Sequence, residues 1–108
     1  MITPLSFYKC LADDTRLKSL LLIEVKGELC VCELMAALNL SQPKISRHLA
    51  QLRKCQLLID ERRGRWVYYQ INPKLPAWAH QVLQLTAASA PSYLTSALNN
   101  LNQRNEIC

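Results

Sequence analysis

Between Ser41 and Ile71 the hydrophobic residues change their period once, and that change restricts the possible folds more than any other feature of the chain. From Ser41 to about Lys54, Ile45, Leu49 and Leu52 recur at helical spacing, so they turn inward and leave Lys44, Arg47, Gln51 and Lys54 pointing away. From Leu57 the composition becomes strand-like, with Leu57 to Arg62 and Arg65 to Ile71 flanking the turn residues Arg63-Gly64. A basic helix is therefore followed by a basic-tipped hairpin. A shorter helical pattern, Val31 to Leu38, precedes it across the tight link Asn39-Leu40-Ser41, where Ser41 is an N-cap and Pro43 is tolerated in the first turn. This order predicts a mostly α fold with a small β-hairpin, a winged helix-turn-helix, with the helix-turn-helix at about 31–54 and the wing at about 57–71.

The flanks add helices. Thr3-Pro4 reads as N-cap and first residue of a helix carrying Leu5, Tyr8 and Leu11 or Ala12 on one stripe. Asp13 or Asp14 caps a second helix, with Leu17, Leu20 and Leu21 as its buried face and Lys26-Gly27 as its end. Pro76 starts another, with Trp78, Val82 and Leu85 inward, and Pro91 separates it from a last helix bearing Leu94, Leu98 and Leu101; these C-terminal helices occupy about 76–104. At 108 residues the chain holds one core, so 1–108 is expected to be a single domain. No apolar run approaches the ~20 residues of a membrane span, and Met1 to Lys9 lacks the grammar of a secretory signal. The expectation is a cytoplasmic protein with no membrane partner.

Charge indicates what the basic elements meet. The formal net charge is +5, and Gln42 to Arg65 alone accounts for it, with Lys44, Arg47, Arg53, Lys54, Arg62, Arg63 and Arg65 against only Asp60 and Glu61. Such focusing suits double-stranded DNA, because phosphates neutralised by Lys and Arg release counterions. Gln42, Lys44, Ser46, Arg47, His48 and Gln51 are candidates for base edges or phosphates in the major groove, and Arg62, Arg63 and Arg65 for phosphates or the minor groove. For His48, packing on a neighbouring segment is the competing reading, and Trp66, Tyr68 and Tyr69 read as hairpin and core packing.

Five cysteines are many for this length, but the number is odd, and a reducing compartment keeps them as thiols. Cys30 and Cys32 stand two apart at the start of the third helix. In a regular helix such positions lie about 200° apart, so one ion held by both distorts that turn. A helix N-terminus favours thiolate, and thiolates select soft ions such as As(III), Sb(III), Cd(II), Zn(II) or Cu(I). Two buried structural cysteines are the plain alternative.

Four motifs resemble the ArsR–SmtB family of metal-responsive repressors, in particular its arsenic-responsive branch: Leu-Ala-Asp-Asp-Thr-Arg-Leu (11–17), Glu-Leu-Cys-Val-Cys-Glu-Leu (28–34), Ser-Gln-Pro-Lys-Ile-Ser-Arg-His-Leu (41–49) and Gly-Arg-Trp-Val-Tyr-Tyr (64–69). The likeness covers nearly all of the chain up to Trp78. It implies a homodimer joined by first and fifth helices, bound to a palindromic operator when ion-free and released when As(III) or Sb(III) binds Cys30 and Cys32, with no organic cofactor. Family members often carry a third cysteine where this chain has Met35. Candidates for the third position are Cys10, from the same chain or the partner subunit, Cys108, a small cellular thiol, or nothing; Cys55 reads as inert. The cadmium-sensing branch adds a cysteine from a long N-terminal arm that this sequence lacks. The zinc-sensing branch needs paired ligands on the fifth helix, where only His80 is present.

Three other readings compete. The two thiols could form a redox switch on the same repressor, although cysteines two apart close a strained ring. A thiol enzyme is disfavoured, since the spacing is not Cys-x-x-Cys after a strand and the only glycines are Gly27 and Gly64. A winged helix that binds protein in place of DNA would lack a steep salt dependence.

Overall fold

Caps set where the first helices begin. In the computed structural model, which describes residues 2–103, the Thr3 hydroxyl accepts the Ser6 N–H at 3.2 Å while Ser6 Oγ accepts the Thr3 N–H at 3.1 Å. This reciprocal cap and Pro4 start α1 (Pro4–Leu11). Asp13, rather than Asp14, caps α2 (Asp14–Lys26), its carboxylate accepting the Arg16 N–H at 2.9 Å. Gly27 ends α2 at φ 91°, a conformation that disfavours residues with a Cβ. Beyond it come β1 (Leu29–Cys30), α3 (Val31–Leu38), α4 (Gln42–Lys54), β2 (Leu58–Arg63), β3 (Trp66–Ile71), α5 (Ala77–Ser89) and α6 (Pro91–Asn102).

The core forms around α2, whose Leu20, Leu21, Leu22 and Ile23 are all buried because other helices and the sheet cover it on several sides. Ile45, Leu49 and Leu52 of α4 are wholly buried, as their spacing predicts. In α6, Leu94, Ala97 and Leu101 are buried, and Asn100 Nδ2 donates to Ala37 O at 3.0 Å, fastening α6 to the end of α3.

The wing differs from the expected two-stranded hairpin. The sheet has three antiparallel strands in the order β1-β3-β2, because Leu29 pairs with Tyr69 and Cys30 with Tyr68. Two residues are too few to show an alternating pattern in sequence. The consequence is that the cysteine segment is part of the sheet that carries the wing.

Two helix faces also differ from expectation. In α1 the core residues are Phe7, Cys10 and Leu11, whereas Leu5 and Tyr8 are 66% and 52% exposed. In α5 the core residues are Ala79 and Leu83, whereas Trp78 and Leu85, read as inward, are 36% and 65% exposed. Each helix has two apolar faces; in α1 the expected stripe shares only Leu11 with the buried one, and in α5 periodicity picked the larger side chains. The fold instead presents the smaller face of α5 to its own core.

Gln56, just after α4, has φ 66°, a left-handed conformation costly for a residue with a Cβ. It is held there by Leu57 N–H donating to Leu52 O at 3.0 Å and Asn72 Nδ2 donating to Gln56 O at 2.9 Å. Gln56→Gly is expected to stabilise the chain by about 0.5 kcal/mol, since relief of strain exceeds glycine's extra unfolded-state freedom. Thermal unfolding should show a midpoint raised by roughly 2–4 °C. A lowered midpoint would mean the side chain itself contributes.

Candidate DNA interface and thiol cleft

Burial of Ile45, Leu49 and Leu52 turns the other side of α4 to solvent, where Gln42, Lys44, Arg47 and Gln51 are exposed. Ser46 and His48 are half-buried. Gln42 Nε2 donates to Ser46 Oγ at 2.7 Å one turn on, and His48 Nδ1 lies 3.7 Å from Asp13 Oδ2, the cap of α2. His48 thus packs on the α1–α2 junction while its neighbours face outward.

The wing arginines are all exposed but differ in their partners. Arg62 Nε donates to Gly64 O at 3.3 Å, close to the turn, and the Arg65 guanidinium sits 5.0 Å from the Trp66 ring centre. Arg63 is engaged more fully. It donates to both oxygens of Glu28, at 2.6 and 2.9 Å, and to Glu61 Oε1 at 2.5 Å, and it lies 4.7 Å from the Tyr68 ring centre. Gln70 Nε2 also donates to Glu28, at 3.0 Å. The Arg63 guanidinium holds the Glu28 carboxyl below the usual carboxylate range, while Glu28 and Glu61 push the Arg63 pKa up. These are solvent-exposed pairs, worth little in stability. Their effect is to position Arg63 over the segment that leads into Cys30.

Cys30 and Cys32 meet in one cleft of about 220 Å³, lined also by Val31, Met35, Gln42, Arg65, Trp66 and Val67. The cleft joins the start of α3, the first residue of α4 and the base of the wing. Cys30 is the N-cap of α3 with extended φ −93°, ψ 169°, and Cys32 lies in the first helical turn. The two cysteines are therefore not both on the helix, and the angular separation that a regular helix imposes on them does not apply in full. The Glu33 carboxylate accepts the Cys30 N–H at 2.9 Å. Burial pushes the Cys30 thiol up, and the Glu33 carboxylate adds to the rise, against the lowering supplied by backbone N–H groups of Glu33 and Cys32. At Cys30, desolvation thus outweighs the helix N-terminus that the sequence reading took to favour thiolate.

Cys10 does not line this cleft. Its sulfur is joined to that of Cys55 in a disulfide, with the Cα atoms 6.7 Å apart, so the expectations that these cysteines stay thiols and that Cys55 is inert are corrected: the fold brings two residues 45 positions apart together. Cys108 lies outside the described residues. His80 Nε2 is 2.9 Å from Glu24 Oε1, linking α5 to α2. Among the described residues no three His, Cys, Asp or Glu side chains are grouped as metal ligands. Sequence reasoning missed Glu28, Gln70 and the cleft-lining Trp66 and Val67; none carries a local signal, since their roles depend on which strand lies beside β3.

A helix-turn-helix followed by a two-stranded wing whose sheet is completed by β1 ahead of α3, with exposed basic and hydrogen-bonding side chains on helix and wing, defines a winged-helix regulator that binds DNA. Comparison with known proteins places it more closely. The profile described as "Bacterial regulatory protein, arsR family" matches residues 13–60. An arsenic resistance transcriptional regulator of Pseudomonas putida is 55% identical over 107 residues, covering 96% of this chain and 93% of the relative. The arsenical resistance operon repressor of Escherichia coli is 44% identical over 104 residues, covering 96% and 89%. Among solved structures, reduced HlyU of Vibrio cholerae superposes with a TM-score of 0.71 at 28% identity, covering 79% of this chain and 85% of that one. The transcriptional repressor BigR of Xylella fastidiosa gives 0.66 at 25% identity, covering 78% and 82%. The chain belongs to the arsR family of bacterial regulatory proteins: it is a DNA-binding transcriptional regulator and not an enzyme.

Proposed function

We propose that the chain is a cytoplasmic, homodimeric repressor of a metalloid-resistance operon, released from double-stranded operator DNA when As(III) or Sb(III) is held by Cys30 and Cys32. The observation that carries this reading is the shared cleft, in which both thiols adjoin Gln42 at the start of α4 and Arg65 at the base of the wing. The names of the Pseudomonas putida and Escherichia coli relatives supply the metalloid. Gln42, Lys44, Ser46, Arg47 and Gln51 enter the major groove, while His48 approaches phosphate from its position beside Asp13. Arg62, Arg63 and Arg65 flank the groove, and Arg63 exchanges its carboxylate partners for phosphate.

Release follows from the backbone at Cys30. Arsenous acid exchanges two hydroxyls for two protein sulfurs, and the departing hydroxyls leave as water with the two thiol protons. Drawing the Cys30 sulfur toward Cys32 requires rotation at the strand-to-helix junction, in competition with the Cys30–Tyr68 pairing and the Glu33 cap. Both α3, which supports α4, and β3 of the wing are then displaced. The third arsenic position is left to Cys108, hydroxide or a small thiol, because Cys10 lies against Cys55 and away from this cleft, and Met35 is a poor donor for As(III). Of the paired ligands that the zinc-sensing branch needs on α5 only His80 is present, so zinc or cadmium is the weaker reading.

The test is fluorescence anisotropy of a labelled duplex, selected by the protein from a random pool, under reducing conditions. Arsenite and antimonite are each expected to release it, Zn(II) and Cd(II) are not, and affinity should fall steeply with added salt. Release by Zn(II) or Cd(II) alone would overturn the metalloid assignment.

A further inference from the structure

Cys10 and Cys55 are 45 positions apart in sequence, yet the fold brings their sulfurs side by side with a Cα separation of 6.7 Å. That separation is within the roughly 4.4–6.8 Å a disulfide spans without backbone movement. Cys10 lies in the last turn of α1 and is 4% exposed; Cys55 caps the C-terminus of α4 and is half-buried. Cys10 Sγ is also 3.9 Å from Gln51 O in the last turn of α4, so a thiol there has an acceptor within reach. Other contacts join these segments besides the sulfur link: Arg16 Nε of α2 donates to Cys10 O at 2.7 Å, and Asp13, the cap of α2, faces His48 of α4. Neither contact involves a sulfur, so neither depends on the redox state of the pair. The site is separate from the cleft of Cys30 and Cys32, which adjoins Gln42 at the other end of α4, about 20 Å away along a 13-residue helix.

We propose that Cys10 and Cys55 form a second, oxidant-responsive dithiol site, closed to a disulfide by small-molecule disulfides, which fastens α1 to the C-terminal end of the DNA-reading helix. The Cys55 thiolate, the more exposed of the two, attacks one sulfur of oxidised glutathione, breaks its S–S bond and releases one glutathione thiolate. The Cys10 thiolate then attacks the Cys55 sulfur of the mixed disulfide and releases the second. The protein loses two protons and two electrons, and the small disulfide becomes two thiols. The new bond joins α1, with its uncovered Leu5 and Tyr8, to α4, with its basic face, so the placement of one against the other follows the redox state. The effect on DNA rests on α4 being the helix that enters the groove; formation of the disulfide does not.

The experiment uses the full chain carrying Cys30→Ser, Cys32→Ser and Cys108→Ser, which retains Cys10 and Cys55. Treated with oxidised glutathione, it is expected to lose both titratable thiols, to carry no glutathione in its intact mass, and to recover both thiols with reductant. The oxidised form should unfold at a midpoint about 10 °C above the reduced form. Its Kd for duplex DNA should differ from that of the reduced form by at least about fivefold, and a further Cys55→Ser change should abolish every difference. Should the variant not fold, mapping of the oxidised native chain decides the same point, with a peptide linked through Cys10 and Cys55 as the expected product. Two surviving thiols, a mixed disulfide that never resolves, or absence of the linked peptide overturns the site. Loss of both thiols with an unchanged Kd overturns the coupling to DNA, and failure of both redox forms to bind duplex overturns the DNA reading of α4 and not the dithiol site.

Discussion

Serine at both positions 30 and 32 is expected to give a protein that still folds and binds operator but stays bound at arsenite concentrations that strip the native chain. Serine is a better N-cap than cysteine, so the start of α3 survives the change at Cys30 with a stability loss of no more than about 1 kcal/mol. What is lost is the differential affinity that drives release. Moving a two-state population from almost wholly bound to almost wholly free takes about 10⁴-fold tighter ion binding to the released form. With both sulfurs gone, the arsenite concentration for half-release should rise at least about 100-fold. Single changes should fall between, because one sulfur and a hydroxyl hold As(III) far less well than two sulfurs. Anisotropy titrations beside far-UV circular dichroism separate loss of sensing from loss of fold. Undiminished release from a folded double variant would show that the ion binds elsewhere.

Leu85→Glu is expected to produce a monomer with operator affinity reduced by roughly 10²-fold or more. Leu5, Tyr8, Trp78 and Leu85 are large apolar side chains left open on α1 and α5. They are linked through Phe7, whose ring packs edge-on against both Tyr8 and Trp78 at 5.1 Å between centres. An apolar face on two adjacent helices suits a second copy of the chain. In a symmetric dimer each substitution acts twice, removing about 1.5–3 kcal/mol of apolar burial per leucine and adding an unpaired carboxylate at each site. Operator affinity falls with the dimer because two half-sites held together bind far more tightly than either alone. Sedimentation velocity gives the oligomeric state directly. A Leu85→Glu chain that sediments as a dimer would place the interface on another face.

Much of the fold was readable wherever an element carries its own signal. The α4 face was readable because only one set of its residues, Ile45, Leu49 and Leu52, can enter a core. Boundaries at Thr3-Pro4, Lys26-Gly27 and Pro91 were readable because caps and proline act within one turn. The wing was announced by strand formers on both sides of Arg63-Gly64, the glycine taking φ 63°. Family membership rests on the same local strings, and Cys30 and Cys32 stood out as a pair.

Other features depend on partners distant in sequence. β1 is two residues long and exists because β3 lies beside it. Glu28 becomes the anchor of Arg63 only once that strand is in place. The largest influence pushing the Cys30 thiol up is burial, which no neighbouring residue reveals, with the Glu33 carboxylate adding to it. The pairing of Cys10 with Cys55 arises because α1 packs against the far end of α4.

The sequence by itself determined the kinds of element, their order, the segregated positive charge and the chemistry available at each thiol, since these follow from residue type and short-range periodicity. Only the tertiary structure decided which apolar face of α1 and α5 enters the core, which cysteines meet, and that the thiol segment and the wing share one sheet. Those outcomes minimise the exposure and polar desolvation of the whole chain at once, a global balance to which every element contributes and which no local window contains.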